Sequence, residues 1–173
     1  LRLALLRARY VSASMILEND RAALGTDLDL EGARREVSHV ARELSLLQKD
    51  LARRMLRTDQ LLDRATGLRA RSYQKTLKMM RETTVAAALL QGWSLYYDGR
   101  AKGTREVLRE AEVAFGRVLQ GDEPIPGPAD VSLDRQQFEF FASAVLGMGL
   151  VSAAIDDYAA ADAWFTRLES PRT

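Results

Sequence analysis

The sequence contains no cysteine among its 173 residues, which excludes disulfide bonds, thiol nucleophiles and thiolate metal sites. Its only histidine is His39. Proline is confined to residues 121–131 and to Pro171, so most of the chain is free of helix breakers. The most apolar stretch, residues 142–155, is shorter than the roughly 20 residues that a membrane-spanning helix needs. These absences predict a soluble helical protein with no membrane span.

The composition is that of an ordinary globular domain, with 47% hydrophobic and 28% charged residues. The length fits a single domain over residues 1–173. Because the sequence begins with leucine rather than methionine, we expect it to be a piece of a larger protein. Residues 1–80 hold 16 Lys and Arg against 10 Asp and Glu, whereas residues 81–173 hold 9 against 14. Arginine heavily outnumbers lysine, which is typical of a GC-rich genome and suggests a bacterial source.

Apolar residues recur at intervals of three and four along almost the whole chain, which indicates amphipathic α-helices and no strands. The pattern predicts six helices, over residues 1–24, 29–64, 69–98, 104–120, 133–155 and 157–169. Short side-chain oxygens that can cap free backbone amides stand at four helix starts: Asp29, Thr104, Ser132 and Asp157. Glycines, which tolerate the left-handed cap, stand where the chain leaves helices: Gly25, Gly99 and Gly121.

The connections between these helices are short except for one proline-rich loop at residues 121–131, which cannot be helical. Short connections place successive helices antiparallel to one another. The sequence therefore predicts an all-α fold of three antiparallel helical hairpins in a row.

An apolar pattern with a small second member occurs three times, which indicates an internal repeat. In each copy a large apolar residue is followed by alanine after three positions, then by two more large apolar residues at intervals of four and three. The members are Leu30, Ala33, Val37 and Val40; Leu108, Ala111, Phe115 and Val118; and Tyr158, Ala161, Phe165 and Leu168. The spacing puts each set on one helix face, where the alanine lets the preceding helix approach. Gly92 and Gly147 are candidates for the same role in the preceding helices.

These residues resemble the tetratricopeptide repeat. Leu146 and Gly147, followed by the third copy of the pattern and by Pro171, look like one unit. Leu90, Gly92 and Tyr96, followed by the second copy, look like a more degenerate one. The resemblance covers about residues 85–120 and 140–171, but Phe115 and Phe165 are 50 residues apart rather than about 34. It implies a tetratricopeptide-like α-solenoid of about six helices, whose concave side binds a peptide or protein partner.

An aromatic stripe in the third helix is the predicted partner site. The resemblance places Trp93 and Tyr97 near the groove, because the first helix of each unit lines it in this family. Aromatic residues anchor interfaces by burying a large area at little cost in rotamer entropy. The candidates for partner binding are Leu89, Trp93, Tyr96, Tyr97 and Met148. The alternative is that residues 85–97, which are apolar all round, form a buried central helix.

Two further patterns leave other functions open. A basic run over residues 64–81 could hold phosphates, which makes a nucleic-acid-binding helical domain the alternative function, although a charge run is usually a solvated face. Its members are Arg64, Arg69, Arg71, Lys75, Lys78 and Arg81. A heptad stripe predicts either coiled-coil assembly with another chain or packing within one long hairpin. That stripe consists of Val37, Val40, Leu44, Leu47, Leu51 and Leu61.

No constellation for catalysis, cofactor binding or metal binding stands out. Residues 27–32 begin like a calcium-binding loop, but the closing carboxylate would fall at Ser38. Asp156 and Asp157 are adjacent and point apart, which suits a turn and not an acid–base pair. With no cysteine and one histidine, we predict a non-catalytic interaction scaffold that carries no cofactor and no metal.

Overall fold

The computed structural model describes residues 1–21, 29–120, 125–131 and 139–169. It contains the α-helices α1 (Arg2–Arg21), α2 (Leu30–Leu62), α3 (Gly67–Lys102), α4 (Arg105–Gln120), α5 (Glu139–Ala154) and α6 (Tyr158–Glu169). A short 3-10 helix, Pro128–Asp130, precedes α5. No strand occurs in these ranges and none of their helices has the length and apolar character to cross a membrane, so the all-α prediction is confirmed. Parts of the predicted first and fifth helices, with Gly25, Gly121 and Ser132, lie outside the described residues.

Two of the predicted helix caps are present. The carboxylate of Asp29 accepts the backbone N–H of Gly32 at 2.7 Å, at the start of α2. The carboxylate of Asp157 accepts the N–H of Ala160 at 3.1 Å, at the start of α6. Thr104 does precede α4, but its buried hydroxyl has no hydrogen-bond partner among the described residues. The prediction of a side-chain cap at Thr104 is therefore wrong.

The end of α3 differs from its prediction. Gly99 lies inside the helix, which continues to Lys102 and ends at Gly103 with φ +65°. A Cβ atom at position 99 would lie 2.9 Å from Cγ of Leu108 in α4. Glycine at this position therefore serves the close approach of two helices, and the left-handed cap falls on the next glycine along the chain.

The helices form three consecutive hairpins, α1–α2, α3–α4 and α5–α6, and α3 is the central helix. It packs against α1, α2, α4 and α5. The first helices of the hairpins contact one another in order, α1 with α3 and α3 with α5. Within the described ranges, the second helices, α2, α4 and α6, do not contact one another. An open cleft therefore remains between α2 and α4.

Ion pairs and hydrogen bonds between sequence-distant residues establish the antiparallel order. Arg2 pairs with Glu43 at 2.8 Å and Arg9 with Glu36 at 3.0 Å, so α1 runs opposite to α2. The side-chain amide of Gln48 donates to the side-chain oxygen Oε1 of Gln91 at 2.7 Å, between α2 and α3. Antiparallel packing follows from the short connections, as predicted.

Phe115 occupies the centre of the largest buried cluster. Its side chain is fully buried and lies between α3 and α5. A Cβ atom at Gly92 or at Gly147 would lie 2.6 Å or 2.4 Å from the Phe115 ring, so both glycines make room for it. The alanines of the repeated pattern are buried as well, with exposed fractions of 3%, 0% and 4% for Ala33, Ala111 and Ala161.

The third copy of the repeated pattern is only partly buried. Tyr158 and Leu168 are 67% and 36% exposed, so the predicted common face of α6 is buried mainly around Ala161. In the described part of the chain, α6 packs only against α5 and the 3-10 helix, which leaves its far side uncovered. The guanidinium of Arg167 donates to the backbone carbonyl of Val131 and ties α6 to the described end of the proline-rich loop.

The heptad stripe of α2 is explained within one chain. Its first five members are buried, and the clusters that contain them also draw side chains from α1 and α3. The last member, Leu61, is 51% exposed near the end of α2. Packing of α2 against α1 and α3 therefore accounts for the stripe within one chain.

Candidate partner-binding surfaces

Two faces of α3 remain open between its neighbours. One face lies between α1 and α5 and carries Leu89, Trp93 and Tyr97. Their four-residue spacing places them on one side of the helix, and all three side chains are partly buried. The other face lies between α2 and α4 and forms the floor of the cleft.

Trp93 is held in one orientation by groups on two other helices. Its indole N–H donates to the Ser143 hydroxyl of α5 at 3.0 Å. Its ring meets Phe115 edge to face, with ring centres 5.3 Å apart, and Tyr96 at 5.9 Å. The polar atom of the indole is thus satisfied, and the side chain as a whole is only partly buried.

Tyr97 is held in a similar way by α1. Its hydroxyl donates to the Glu18 carboxylate at 2.6 Å, and its ring centre lies 6.2 Å from that of Tyr10. Burial, together with the hydrogen bond to Glu18, raises the pKa of Tyr97 well above its ordinary value. Burial also raises the pKa of Tyr10 to about 12. Both phenols therefore remain neutral around neutral pH.

The other two predicted site residues lie in the core. Tyr96 is 4% exposed and Met148 is 1% exposed, and both belong to the cluster around Phe115. Successive side chains on a helix point about 100° apart, so Tyr96 faces inward where Tyr97 faces the surface. Tyr96 and Met148 therefore support the surface from below, and their predicted role as direct contacts for a partner does not fit their burial.

Two exposed residues of α5 extend the surface, and the sequence interpretation missed both. Phe140 and Leu146 are 45% and 39% exposed, and each is three residues from Ser143, so both are neighbours of Ser143 on the helix surface. The signal was present in the sequence, because residues 140–155 contain no charged side chain. We call Leu89, Trp93, Tyr97, Phe140 and Leu146 the aromatic patch.

The cleft between α2 and α4 is polar and has a volume of about 1000 Å³. Asp98 lies in its floor, 5% exposed, and accepts hydrogen bonds from Lys102 at 2.8 Å and from the Ser38 hydroxyl. Polar side chains and charged side chains of both signs line its walls, among them Arg35, His39, Arg42 and Glu110. This mixture suits a solvated cleft better than an apolar binding groove.

The lining of the cleft offers little for chemistry. The Asp98 carboxylate already has two partners, so it is not a spare base. Over the described residues, no group of three or more His, Asp and Glu side chains is arranged to hold a metal ion. His39 is the only histidine in the lining of the cleft.

The basic run of the sequence lies apart from both surfaces. Its six members are all exposed, on the first part of α3 and the turn that precedes it. Arg53, Arg54 and Arg57 of α2 are exposed as well. The structure thus joins the predicted run to three arginines that the sequence interpretation did not include.

Comparisons with known proteins identify no relative. No protein-family model matches the sequence, and neither a curated protein nor a solved structure is significantly similar to it.

Proposed function

We propose that the protein is a non-catalytic scaffold that binds a peptide or protein partner through the aromatic patch. The observation that carries this proposal is the state of Trp93 and Tyr97. Both side chains are only partly buried, and each is fixed by a hydrogen bond to a different helix, to Ser143 at 3.0 Å and to Glu18 at 2.6 Å. Aromatic side chains that are ordered before binding lose little entropy when they become anchors.

The surroundings of the two rings indicate the chemistry of the partner. Phe140 and Leu146 add exposed apolar area on the α5 side, where residues 140–155 bring no charge. A surface of this kind matches the apolar face of an amphipathic helix or a peptide with several large apolar side chains. The partner therefore presents hydrophobic anchors, with polar groups at the rim.

The tetratricopeptide-like interpretation of the fold is part of the proposal. It is supported by the ordered contacts of α1 with α3 and of α3 with α5, and by the two glycines that receive Phe115. In a solenoid of this kind each hairpin packs on the next, and the first helices form one continuous surface. The aromatic patch lies on that surface.

The absence of catalysis is also proposed. It is supported by the lack of cysteine, by the presence of only one histidine and by the satisfied Asp98 carboxylate. The alternative function, a nucleic-acid-binding domain using residues 64–81, remains a prediction and concerns a separate surface.

A selection from a displayed peptide library tests the proposal. Panning on the immobilised wild-type protein should enrich peptides with recurrent large apolar residues. Leu146→Glu should weaken their binding at least tenfold, because a carboxylate would be brought into the apolar contact. Leu146 is preferable to Trp93 as the test position, because Trp93 also packs against Phe115 and its loss would disturb the core.

Tyr158→Glu is the matched control, since Tyr158 is 67% exposed in α6 and lies outside the aromatic patch. It should leave peptide binding unchanged. If no peptide is enriched, or if the enriched peptides bind the Leu146→Glu protein as tightly as wild type, the aromatic patch is not a partner site.

A further inference from the structure

The last part of α2, the first part of α3 and the turn between them extend away from the rest of the described chain. We call residues 50–82 the arm. Only two of its side chains are buried, Leu51 and Leu77, at 8% and 5% exposure. None of the three buried clusters found in the described residues includes a side chain from 52–79. About 13 residues of α2 lie in the arm, which corresponds to a length of about 20 Å.

The arm is strongly basic. It contains nine Lys and Arg residues against four Asp and Glu residues, and all nine basic side chains are exposed. One of the nine, Arg54, forms an ion pair within the described chain, with Asp50 at 2.8 Å. The other positive charges face solvent without such a partner in the described structure. Arg71, Lys75 and Lys78 follow at intervals of four and three, so they form a stripe along one side of α3.

Large apolar side chains are exposed among these charges. Leu68 is 82% exposed, Leu56 is 63%, Met79 is 57% and Leu61 is 51%. Leu61 and Leu68 flank the turn at the tip, beside Arg64. Leu68 is three residues before Arg71, and Met79 is four residues after Lys75, so both border the basic stripe. The only aromatic residue of the arm, Tyr73, is partly buried.

Exposed positive charge and exposed apolar area occur together on the arm, and this combination indicates the kind of partner. We propose that the arm docks on the surface of a membrane that contains anionic phospholipids. Clustered Lys and Arg side chains bind the negative headgroups, while leucines at a projecting tip enter the boundary between headgroups and acyl chains. A nucleic acid would pair with the positive charges, but it would leave Leu61 and Leu68 in water. The arm also offers no exposed aromatic ring on which the bases could stack.

The aromatic patch and the arm involve different residues, so the membrane proposal is independent of the proposed scaffold function. Residues 50–80 of the arm hold eight Lys and Arg against three Asp and Glu, which is most of the net positive charge of the first half, whereas residues 81–173 are net negative. An anionic surface therefore attracts the arm and repels much of the remaining chain. Docking through the tip of a hairpin leaves the aromatic patch free for a partner.

Vesicle flotation tests the proposal with two sets of variants in the whole chain. The wild type should float with phosphatidylcholine vesicles that contain phosphatidylglycerol and should not float with pure phosphatidylcholine. Each basic residue contributes about fivefold to such binding. Replacing three of them, as Arg71→Gln, Lys75→Gln and Lys78→Gln, should therefore weaken it about 100-fold. The double variant Leu61→Ser and Leu68→Ser should weaken it about tenfold at unchanged charge.

Control variants remove the same groups from the body. Arg35, Arg100 and Arg117 are exposed, and changing all three to Gln should have at most a small effect. Leu5 and Met15 of α1 are 60% and 59% exposed, and changing both to Ser should have none. Circular dichroism checks that every variant is folded, as expected for changes at exposed positions.

Binding to a DNA duplex and to single-stranded RNA is measured with the same proteins. The membrane proposal is overturned if the wild type floats equally with neutral and anionic vesicles, or with neither. It is also overturned if the leucine variants float like wild type. Tight binding to either nucleic acid, lost with the basic stripe but not with the leucines, would assign the arm to a nucleic acid instead.

Discussion

Four glycines of the described residues, Gly92, Gly99, Gly147 and Gly149, lie at contacts between helices, and Gly147 shows why. It lies in α5, where a Cβ atom would come within 2.4 Å of the Phe115 ring. Movement of that ring away from α5 is blocked by Gly92 in α3, whose own Cβ position is 2.6 Å from it. Phe115 is fully buried, so an added methyl group on either side has no space to enter.

Gly147→Ala should therefore destabilise the protein by about 1–3 kcal/mol, even though alanine favours a helix over glycine by about 1 kcal/mol. Gly116→Ala in α4 is the matched control. Its Cβ would meet nothing closer than Ile125 at 3.4 Å, an ordinary contact. That variant should be as stable as wild type or slightly more stable. Chemical denaturation measures both, and equal stability of the two variants would show that Phe115 is not confined between α3 and α5.

Among the helices, α1 is attached to α3 partly through phenol groups. Tyr97 of α3 donates to Glu18 of α1, and Tyr10 of α1 packs beside its ring. The pKa of each tyrosine is raised in the folded state, so its neutral form is favoured by folding. The stabilisation is complete below the unfolded pKa of about 10 and is lost as pH rises from about 10 towards the folded values.

The free energy of unfolding should therefore fall in alkaline solution, and Tyr97→Phe should reduce that fall. At neutral pH the variant loses a hydrogen bond to a carboxylate, worth about 1.5 kcal/mol. Above about pH 10 the difference in unfolding free energy between the variant and the wild type should shrink. The wild type must then either ionise Tyr97 next to Glu18 or keep it protonated, and both destabilise its folded state. Urea denaturation at about pH 7 and about pH 11 measures both differences. A constant difference at the two pH values would mean that the phenol does not couple to folding.

Across the whole molecule, buried contacts are distributed unevenly. The middle of α3, residues 87–99, is packed by four helices, whereas the arm has only Leu51 and Leu77 buried. Regions with few buried apolar contacts open locally at a lower free energy than the core. The body and the arm should therefore differ in their opening free energies.

Hydrogen exchange should resolve this difference. Amides of residues 52–79 are expected to exchange with opening free energies at least about 2 kcal/mol below those of residues 87–99. The measurement is mass spectrometry of peptic fragments over time, with denaturant added to identify global unfolding. Uniform protection of both segments would show that the arm unfolds only together with the body.

Three residues of the candidate site followed from the sequence, whereas the roles of four others did not. The spacing of Leu89, Trp93 and Tyr97 predicts that they share a helix face, because that spacing is a local property of the helix. The burial of Tyr96 and Met148 depends on where α4 and α5 lie, which no spacing within α3 specifies. Phe140 and Leu146 were missed for the same reason, since a uniformly apolar helix does not indicate which side its neighbours leave open.

Sequence patterns alone were enough to predict that the chain is helical and roughly where its helices begin and end within the described residues. Those properties depend on interactions over three or four residues, such as the Asp29 cap and the apolar intervals of α2. The position of Gly99 inside α3 could be explained only from the packed fold, because its need for glycine arises from Leu108 in another helix. The exposure of the basic run on the arm is also a tertiary property. It depends on how much of α2 and α3 the shorter helices of the body cover.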